Sequence, residues 1–315
     1  MSILVTGGAG FIGSHLVDRL VARGDRVVCL DNFDDYYSPE IKRANVEDAL
    51  QTGRMKLVEG DIRDDALCRQ TVQEEGVESV VHLAARAGVR PSIEQPALYA
   101  AVNCEGTVNL LEAAREAGVS KFIFGSSSSV YGVNNKIPFA EDDPVTRPIS
   151  PYAATKRAGE LMCHVYHHLY GLPIVALRFF TVYGPRQRPD LAIHKFTRLI
   201  EAGEPIPMYG DGTSRRDYTY CSDVVDGIVA ALDGALEFEI INLGNSEPVE
   251  LRRLIGVIEE ALGREARIER MPEQPGDVPV TYADISKARR LLDYAPEYPI
   301  RQGIAEFVEW FRGSS

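Results

Sequence analysis

The chain begins Met1-Ser2-Ile3-Leu4-Val5-Thr6-Gly7-Gly8-Ala9-Gly10-Phe11-Ile12-Gly13-Ser14-His15-Leu16-Val17, and this stretch decides the fold. A short apolar run precedes three glycines spaced three apart, and apolar residues then recur with helical spacing. The pattern predicts a strand, a tight turn and a helix. Gly7 permits the turn, Gly10 lets a diphosphate approach the backbone, and Gly13 lets the helix pack closely. Because helix N-termini bind phosphates, the stretch predicts a dinucleotide site formed by Gly7, Gly10, Phe11, Ile12 and Gly13.

Acidic residues follow the next two predicted strands. The run Val27 to Leu30 ends in Asp31-Asn32, where an acidic side chain is expected to hold the adenosine ribose hydroxyls. Such a carboxylate would repel a ribose 2′-phosphate, so the sequence favours NAD over NADP. The strand near position 58 ends before Asp61-Ile62. Asp61 could bond the adenine amino group, or it could cap the next helix.

Apolar strands and helical segments alternate through the first half of the chain. Further strands are predicted near positions 80, 123 and 177. This alternation indicates an α/β fold with a Rossmann-type, doubly wound parallel sheet. Ligands of such sheets bind at the carboxyl ends of the strands, where the small residues after Leu83 (Ala84 and Ala85) and the serine run at 126–129 also lie.

The alternation ends after residue 178. We predict an NAD-binding domain over 1–178, to which 219–243 returns, and a smaller α/β substrate-binding domain formed by 179–218 and 244–315. The second region contains Arg186, Arg188 and Arg216 although the chain has a net charge of −12. Such arginines are often solvated loop residues, but near a cofactor crevice they suit a diphosphate or a carboxylate.

The overall composition is that of a soluble globular protein, with 45% hydrophobic and 25% charged residues. The acidic charge argues against nucleic acid or an anionic membrane as a partner. No apolar run has membrane-spanning length and no leader precedes the first strand, so a cytoplasmic location is expected. The five cysteines are scattered and are expected to be reduced. The spacing of His164, His167 and His168 could place two of them on a metal, but no third ligand of suitable type is evident, so no metal site is expected.

Tyr152 and Lys156 are the strongest catalytic candidates. They are four residues apart, so they lie on one face of a helix that Pro151 can begin. Such a pair alone is usually a surface feature. After a dinucleotide turn and a serine-rich strand end, it is more typical of an active site.

Together these motifs resemble the extended short-chain dehydrogenase/reductases of the nucleotide-sugar epimerase/dehydratase family. The resemblance covers nearly the whole chain and includes the Tyr183-Gly184-Pro185-Arg186 loop and Arg216-Asp217-Tyr218. It implies that Tyr152 is the acid/base at the sugar 4-hydroxyl, that Lys156 binds the nicotinamide ribose, and that Ser127 bridges Tyr152 and the sugar. The ammonium is expected to lower the pKa of Tyr152. Asn103 is implied as a further cofactor residue.

Two departures from family patterns indicate the reaction and the sugar. Relatives that eliminate water or decarboxylate have carboxylates where this chain has Ser128-Ser129, so epimerisation through a 4-keto sugar is favoured. The family's UDP-hexose 4-epimerases usually have Asn where this chain has Thr181 and Arg where it has Gln274. At both positions this chain resembles the UDP-glucuronate 4-epimerases of the family. The resemblance therefore implies conversion of UDP-glucuronate to UDP-galacturonate. The implied substrate residues are Ser127, Ser128, Thr181, Arg186, Arg188, Arg216, Tyr218 and Asp277.

Several alternatives remain open at this point. Arg188 or Thr181 could hold the glucuronate carboxylate, with Arg216 at the diphosphate and Tyr218 and Asp277 at the uridine. Arg188 could instead pair with Asp190 or with solvent. A UDP-glucose or UDP-N-acetylglucosamine 4-epimerase is the alternative enzyme, and a non-catalytic NAD-binding regulator is the alternative of another class. The resemblance also implies a homodimer through the helices at 96–117 and 151–170.

Overall fold

The computed structural model describes residues 1–134, 136–272 and 279–313. Its strands, in chain order, are β1 (Ser2–Thr6), β2 (Arg26–Asp31), β3 (Met55–Glu59), β4 (Ser79–His82), β5 (Lys121–Ser127), β6 (Ile174–Phe179), β7 (Thr181–Tyr183), β8 (Pro205–Tyr209), β9 (Arg215–Tyr220), β10 (Phe238–Leu243), β11 (Pro248–Glu250), β12 (Arg267–Met271) and β13 (Val280–Thr281). Seven of them form one parallel sheet in the order β10-β6-β5-β4-β1-β2-β3. This sheet confirms the predicted doubly wound α/β fold.

The strand order reverses between β1 and β4. The chain runs outward from β1 to β2 and β3, and then returns to place β4 on the other side of β1. The connections after these two strands therefore leave in opposite directions, which opens a crevice at their carboxyl ends. The glycine turn follows β1 and the Ala84-Ala85 pair follows β4, so both predicted ligand-binding stretches border this crevice.

Helices cover both faces of the sheet. They are α1 (Phe11–Arg23), α2 (Pro39–Gln51), α3 (Asp65–Glu74), α4 (Val89–Glu94), α5 (Pro96–Ala100), α6 (Gly106–Ala117), α7 (Pro151–Tyr170), α8 (Ala192–Glu201), α9 (Cys221–Asp233), α10 (Leu251–Leu262), α11 (Ser286–Leu292) and α12 (Ile300–Gly313). Side chains alternate along a strand, so Leu4 packs in one core with α3, α6 and α7, whereas Ile3 and Val5 pack in the other with α1, α2 and α9. No helix of the described ranges combines the length and the apolar character that crossing a bilayer requires.

A second, smaller set of strands lies beyond β6. Strand β9 pairs with β11, β13 and β7, and β8 pairs separately with β12. The buried Asp217 of β9 accepts backbone N–H groups from Asn245 at 2.7 Å, Ser246 at 3.0 Å and Ala283 at 2.9 Å. One carboxylate thus holds three chain segments together. The division of the chain into two domains at residue 178 remains a prediction.

The helix predicted over 96–117 is interrupted. Residues Ala101–Glu105 form a π-helical turn between α5 and α6. This turn directs the buried Asn103 inward, where its amide donates to Thr155 Oγ1 at 3.0 Å and to the Arg86 carbonyl at 3.0 Å. Hydrophobic spacing contains no signal for such a turn, because π-turns satisfy local packing and hydrogen bonding rather than a periodic pattern.

His82 lies inside the core and is expected to make the fold acid-sensitive. Its Nδ1 lies 2.7 Å from Thr6 Oγ1 and its Nε2 lies 3.0 Å from Thr107 Oγ1, and burial lowers its pKa from 6.5 to about 3. Between these values the unfolded chain binds a proton that the folded chain excludes. Stability should therefore fall with pH below about 6.5, by about 1.4 kcal/mol per pH unit from this group.

Urea unfolding at pH 6.5 and pH 4 checks this expectation. The difference in the free energy of unfolding between the two pH values should be about 3 kcal/mol smaller for His82→Gln than for the unmodified protein. An identical pH dependence in both proteins would show that His82 does not cause acid sensitivity.

Candidate active site

A cleft of about 530 Å³ lies at the carboxyl ends of the parallel strands. Its walls contain most of the sites predicted from the sequence. These are Gly7, Gly10, Phe11, Ile12, Gly13, Asp31, Asn32, Asp61, Ile62, Leu83, Ala84, Ala85, Ser127, Ser128, Tyr152, Lys156, Thr181 and Arg188. Cofactor and substrate candidates therefore share one cavity. Their individual roles stay predictions.

The glycine turn has the form that a diphosphate site requires. Gly7 has φ +68°, and a Cβ at this position would lie 2.7 Å from the Ala84 backbone nitrogen. A Cβ at Gly13 would collide with the Gly7 carbonyl oxygen. A Cβ at Gly10 would lie 3.2 Å from the Gly7 oxygen, which is closer than an ordinary van der Waals contact. Gly10 lines the cleft, and because it has no side chain a phosphate can approach the backbone at the start of α1.

Asp31, the last residue of β2, and Asp61, which follows β3, both line the cleft. Asp31 accepts the Ala9 N–H at 3.1 Å and the Phe33 N–H at 2.9 Å, which fixes its carboxylate beside the glycine turn. Burial raises the pKa of Asp31, and the Phe33 N–H bond and Lys42 oppose that shift. The Asn32 amide donates to Asp61 at 2.9 Å.

Asp61 does not cap the following helix. Its carboxylate bonds the Arg63 side chain, which holds the pKa of Asp61 at about 2. The cap of α3 is instead Asp64, which accepts the Leu67 N–H at 3.0 Å. The capping alternative for Asp61 is therefore wrong, and its carboxylate stays at the wall of the cleft.

Helix α7 brings the predicted catalytic pair to the end of β5. Ser150 caps this helix by accepting the Ala153 N–H at 3.1 Å, and Pro151 occupies its first turn. Tyr152 is hydrogen-bonded to Ser127, the last residue of β5. The buried Lys156 ammonium donates to the Gly125 carbonyl at 2.8 Å. The phenol of Tyr152, the hydroxyl of Ser127 and the ammonium of Lys156 therefore belong to the same cleft wall.

The expected lowering of the Tyr152 pKa is wrong for the protein alone. Burial raises the pKa of Tyr152, whereas the Ser127 hydrogen bond and the positive charge of Arg188 act in the opposite direction. Burial also lowers the pKa of Lys156 to about 8. The physical reason is that Lys156 points to a backbone carbonyl of β5, and that both groups have lost hydration.

A buried ion pair fixes α7 against the sheet one turn beyond Lys156. Arg178 of β6 donates to Glu160 from Nε at 2.8 Å and from a terminal nitrogen at 3.0 Å, and Ser126 Oγ donates at 2.6 Å. Burial alone would raise the pKa of Glu160, but these bonds outweigh it and hold the pKa below its usual value. Since Ser126 precedes Ser127, the network also fixes the serine that contacts Tyr152.

Arg188 and Thr181, two of the predicted substrate residues, both line the cleft. Arg188 makes the pairing with Asp190 that was one of its two alternatives, through two hydrogen bonds of 2.9 Å. Its side chain nevertheless remains 18% exposed and lies 5.3 Å from the centre of the Tyr36 ring. Thr181 in β7 pairs with Tyr218 in β9.

Four other predicted site residues, all of them described, are not among the residues that line the cleft. Arg186 has φ +62° and pairs with Asp18 of α1 at 2.6 Å. Arg216 and Tyr218 lie in β9, and the Tyr218 ring packs edge-on against Tyr183. Asn103 contacts Arg86 and Thr155 behind the cleft wall. Asp277 lies outside the described residues, as does Gln274.

Sequence reasoning missed several side chains that line the cleft, and four of them carry hydroxyl or cationic groups that could bind a ligand. Tyr36, Tyr37 and Lys42 come from the loop after β2 and the helix that follows it, and Arg86 follows β4. The aromatic loop and a cation directly after a strand end were visible signals. Their common location depends on the approach of distant segments, which no local pattern encodes.

Comparisons with known proteins identify the family to which the chain belongs. A family model described as the NAD dependent epimerase/dehydratase family matches residues 3–244. UDP-glucuronate 4-epimerase 3 of Arabidopsis thaliana is 44% identical over 331 residues, which covers 99% of this chain and 76% of that protein.

Solved structures agree with this result. The Bacillus cereus UDP-glucuronic acid 4-epimerase, crystallised with UDP-glucuronic acid and NAD, superposes with a TM-score of 0.94 at 38% identity and full coverage of both chains. The Thermotoga maritima UDP-glucose 4-epimerase superposes with a TM-score of 0.91 at 34% identity, covering 100% of this chain and 99% of that one. The family model matches the part of the chain that contains the glycine turn and the Tyr152–Lys156 pair, and the similar proteins match nearly its full length. The chain therefore belongs to the NAD-dependent epimerase/dehydratase family.

Proposed function

We propose that this protein interconverts UDP-glucuronate and UDP-galacturonate by oxidation and re-reduction at sugar C4, with NAD as its cofactor. The observation that carries the proposal is the meeting of Tyr152, Ser127 and Lys156 with Arg188 in one cleft beside the glycine turn. The residues fit the cofactor, because Gly10 lines the cleft without a side chain and Asp31 stands where ribose hydroxyls would bind. When bound, NAD accepts a hydride from C4 and later returns it to the opposite face of the sugar.

Tyr152 moves the proton of the sugar 4-hydroxyl in this proposal. As the C–H bond at C4 breaks, the phenolate oxygen takes the hydroxyl proton, and the phenol gives it back when the C4 carbonyl is reduced. Ser127, which interacts with Tyr152, would also bond the sugar oxygen and so hold the two oxygens within proton-transfer distance. Lys156, whose ammonium donates to the Gly125 carbonyl, would bind the nicotinamide ribose. The positive charge of Arg188 favours the anionic form of the Tyr152 phenol.

The serines after Ser127 favour epimerisation over elimination. Ser128 and Ser129 form a short 3₁₀ turn at the cleft wall. Neither side chain is a strong acid or base at neutral pH, so neither can remove the C5 proton as a carboxylate could. The 4-keto sugar is therefore not lost to elimination, and it can rotate in the cleft to present its other face before it is reduced.

The substrate carboxylate has a candidate partner in Arg188. Arginine binds carboxylates through two parallel hydrogen bonds, and Arg188 already binds Asp190 in this way. A glucuronate carboxylate would replace Asp190 as the acceptor. This exchange matters chemically because a 4-keto glucuronate is a β-keto acid, which loses CO2 readily unless its carboxylate is held in place.

Product analysis tests the proposal directly. The purified protein is incubated with UDP-glucuronate in D2O, and the nucleotide sugars are followed by proton NMR. UDP-galacturonate should form without solvent deuterium at C4, because the hydrogen returns from the cofactor rather than from water. Deuterium at C4 would contradict the redox mechanism. Lack of product from every UDP-sugar would favour a non-catalytic NAD-binding regulator.

A UDP-glucose or UDP-N-acetylglucosamine 4-epimerase is the second candidate. It is supported by the similarity to the Thermotoga maritima UDP-glucose 4-epimerase. Parallel incubations with UDP-glucose and UDP-N-acetylglucosamine separate the candidates, because a site that uses Arg188 for a carboxylate should prefer the acidic sugar.

We further propose that the active protein is a homodimer that pairs through α7. Leu161, Val165 and Leu169 follow one another at intervals of four residues on this helix, so they lie on one face of it. They are 50%, 41% and 60% exposed and form a solvent-exposed apolar stripe. Light scattering should give twice the chain mass, and Leu169→Glu should reduce it to the single chain mass. Ile268→Glu, which changes an exposed apolar residue of β12, should leave the mass doubled.

A further inference from the structure

Two hydrogen-bond donors in the cleft have no acceptor among the described residues. They are the Tyr37 hydroxyl and Arg86 Nε, and both atoms are buried. A buried donor that has lost water without gaining a partner is unfavourable. Two such donors in a single cleft therefore indicate a bound ligand rich in acceptor oxygens.

The Tyr37 hydroxyl stands opposite the glycine turn. A Cβ built on Gly10 would lie 4.0 Å from this oxygen. The loop that presents Tyr37 is folded by its own polar side chains, since Asp34 accepts the Tyr36 N–H at 2.9 Å. The Lys42 ammonium lies 4.5 Å from the centre of the Tyr37 ring. The loop and the start of α2 thus place a hydroxyl and a positive charge on the side of the cleft that faces Gly10.

Arg86 is held from two directions. Its backbone N–H donates to the Asn103 side chain at 2.8 Å and its carbonyl accepts from the same amide at 3.0 Å. Its guanidinium pairs through a terminal nitrogen with Asp34 and lies 5.1 Å from the centre of the Tyr36 ring. With one end of the guanidinium fixed on Asp34, Nε remains the donor without a partner.

The chemistry of these groups selects an anion. Burial raises the pKa of Tyr37, so its hydroxyl keeps its proton and can donate. Arg86 and Lys42 are positively charged, and charge-assisted bonds to phosphate oxygens are stronger than bonds between neutral groups. The backbone N–H groups at the start of α1 lie across the cleft from this set. An ordered water is the neutral alternative, and it would satisfy the donors without using the charges.

We propose that Tyr37 and Arg86 are cofactor-binding residues that donate hydrogen bonds to the diphosphate of the dinucleotide, opposite the glycine turn. The inference rests on the cofactor site proposed above. In this assignment the diphosphate is bound from two sides. Backbone N–H groups of the glycine turn donate from one side, and the side chains of Tyr37 and Arg86 donate from the other. The cofactor would then leave only after these side-chain bonds break.

Cofactor exchange in the holoenzyme tests the assignment. Protein with bound NAD is mixed with an excess of isotopically labelled NAD, and the rate at which the label enters is measured. Tyr37→Phe and Arg86→Lys should each release the cofactor roughly ten-fold faster or more, because each loses one hydrogen bond to a charged group. Arg86→Lys keeps the positive charge for Asp34 and removes the Nε donor.

Tyr294→Phe is the matched control, since its hydroxyl is also buried without an acceptor among the described residues but lies outside the cleft. It should exchange the cofactor at the unmodified rate. Adenosine should displace NAD more readily from Tyr37→Phe and Arg86→Lys than from the unmodified protein, because NAD loses a diphosphate bond and adenosine has none to lose. Displacement by ADP should be unchanged, because ADP and NAD lose the same bond. Thermal unfolding confirms that the variants are folded.

The outcomes separate this assignment from the proposed reaction. Exchange within two-fold of the unmodified rate in both variants would overturn it and favour an ordered water at these donors. An unmodified protein that binds no NAD would overturn the cofactor site together with the assignment. A protein that holds NAD and shows the expected exchange rates, yet does not epimerise UDP-glucuronate, would contradict only the choice of substrate.

Discussion

Tyr152→Phe is expected to lower the turnover of UDP-glucuronate by roughly 10³-fold or more, while the protein keeps its bound NAD. The phenol is the group that transfers the proton of the sugar 4-hydroxyl, and general acid–base groups contribute about 10² to 10⁴ in rate. The ring itself packs edge-on against Tyr99 and should stay in place, because phenylalanine preserves this contact. Initial rates and the NAD content of the purified variant provide the measurement.

The control for Tyr152→Phe is Tyr294→Phe, which makes the same chemical change outside the cleft. Its turnover should equal that of the unmodified protein. If Tyr152→Phe retained more than about one tenth of the activity, the assignment of proton transfer to this residue would be untenable. Loss of both activity and NAD would instead indicate that the variant has a damaged cofactor site.

Arg188→Ala should have the second largest effect, and it should change the products as well as the rate. Removal of one partner from a desolvated charge pair typically costs 2–5 kcal/mol, so kcat/KM for UDP-glucuronate should fall by roughly 30-fold or more. A carboxylate that is no longer held can adopt the orientation in which the 4-keto acid loses CO2. A UDP-pentose should therefore appear among the products, and chromatography of the nucleotide sugars detects it.

Arg186→Ala supplies the comparison within the same loop. The Arg186 guanidinium is directed to Asp18, so its loss should change kcat/KM by less than about two-fold. Unchanged kinetics and no pentose in Arg188→Ala would show that another group holds the carboxylate. Thr181 would then be the remaining candidate from the sequence.

The parallel sheet and its ligand edge could be predicted because their signals are local. The glycine spacing, the alternation of apolar strands and helices, and the position of Asp31 after a strand each depend on a few neighbouring residues. The same holds for Tyr152 and Lys156, whose spacing places them on one helical face before any tertiary contact is known.

The parts that could not be predicted depend on distant contacts or on single backbone conformations. Arg186 and Arg188 look equivalent in the sequence, but Arg186 adopts a left-handed φ of +62° and pairs with Asp18, whereas Arg188 lines the cleft. The π-helical turn that moves Asn103 behind the cleft wall leaves no periodic signal. The pKa of Tyr152 depends on its burial in the folded chain, which the sequence does not specify.

The edge position of β10 has a practical consequence for protein engineering. This strand is supplied by Phe238–Leu243, long after the chain has left the large sheet, and it covers the free side of β6. A fragment that stopped at residue 178 would expose the hydrogen-bonding groups of β6, and such an open edge promotes aggregation with other chains. Cofactor and sugar recognition in this protein should therefore be dissected by point substitution rather than by truncation.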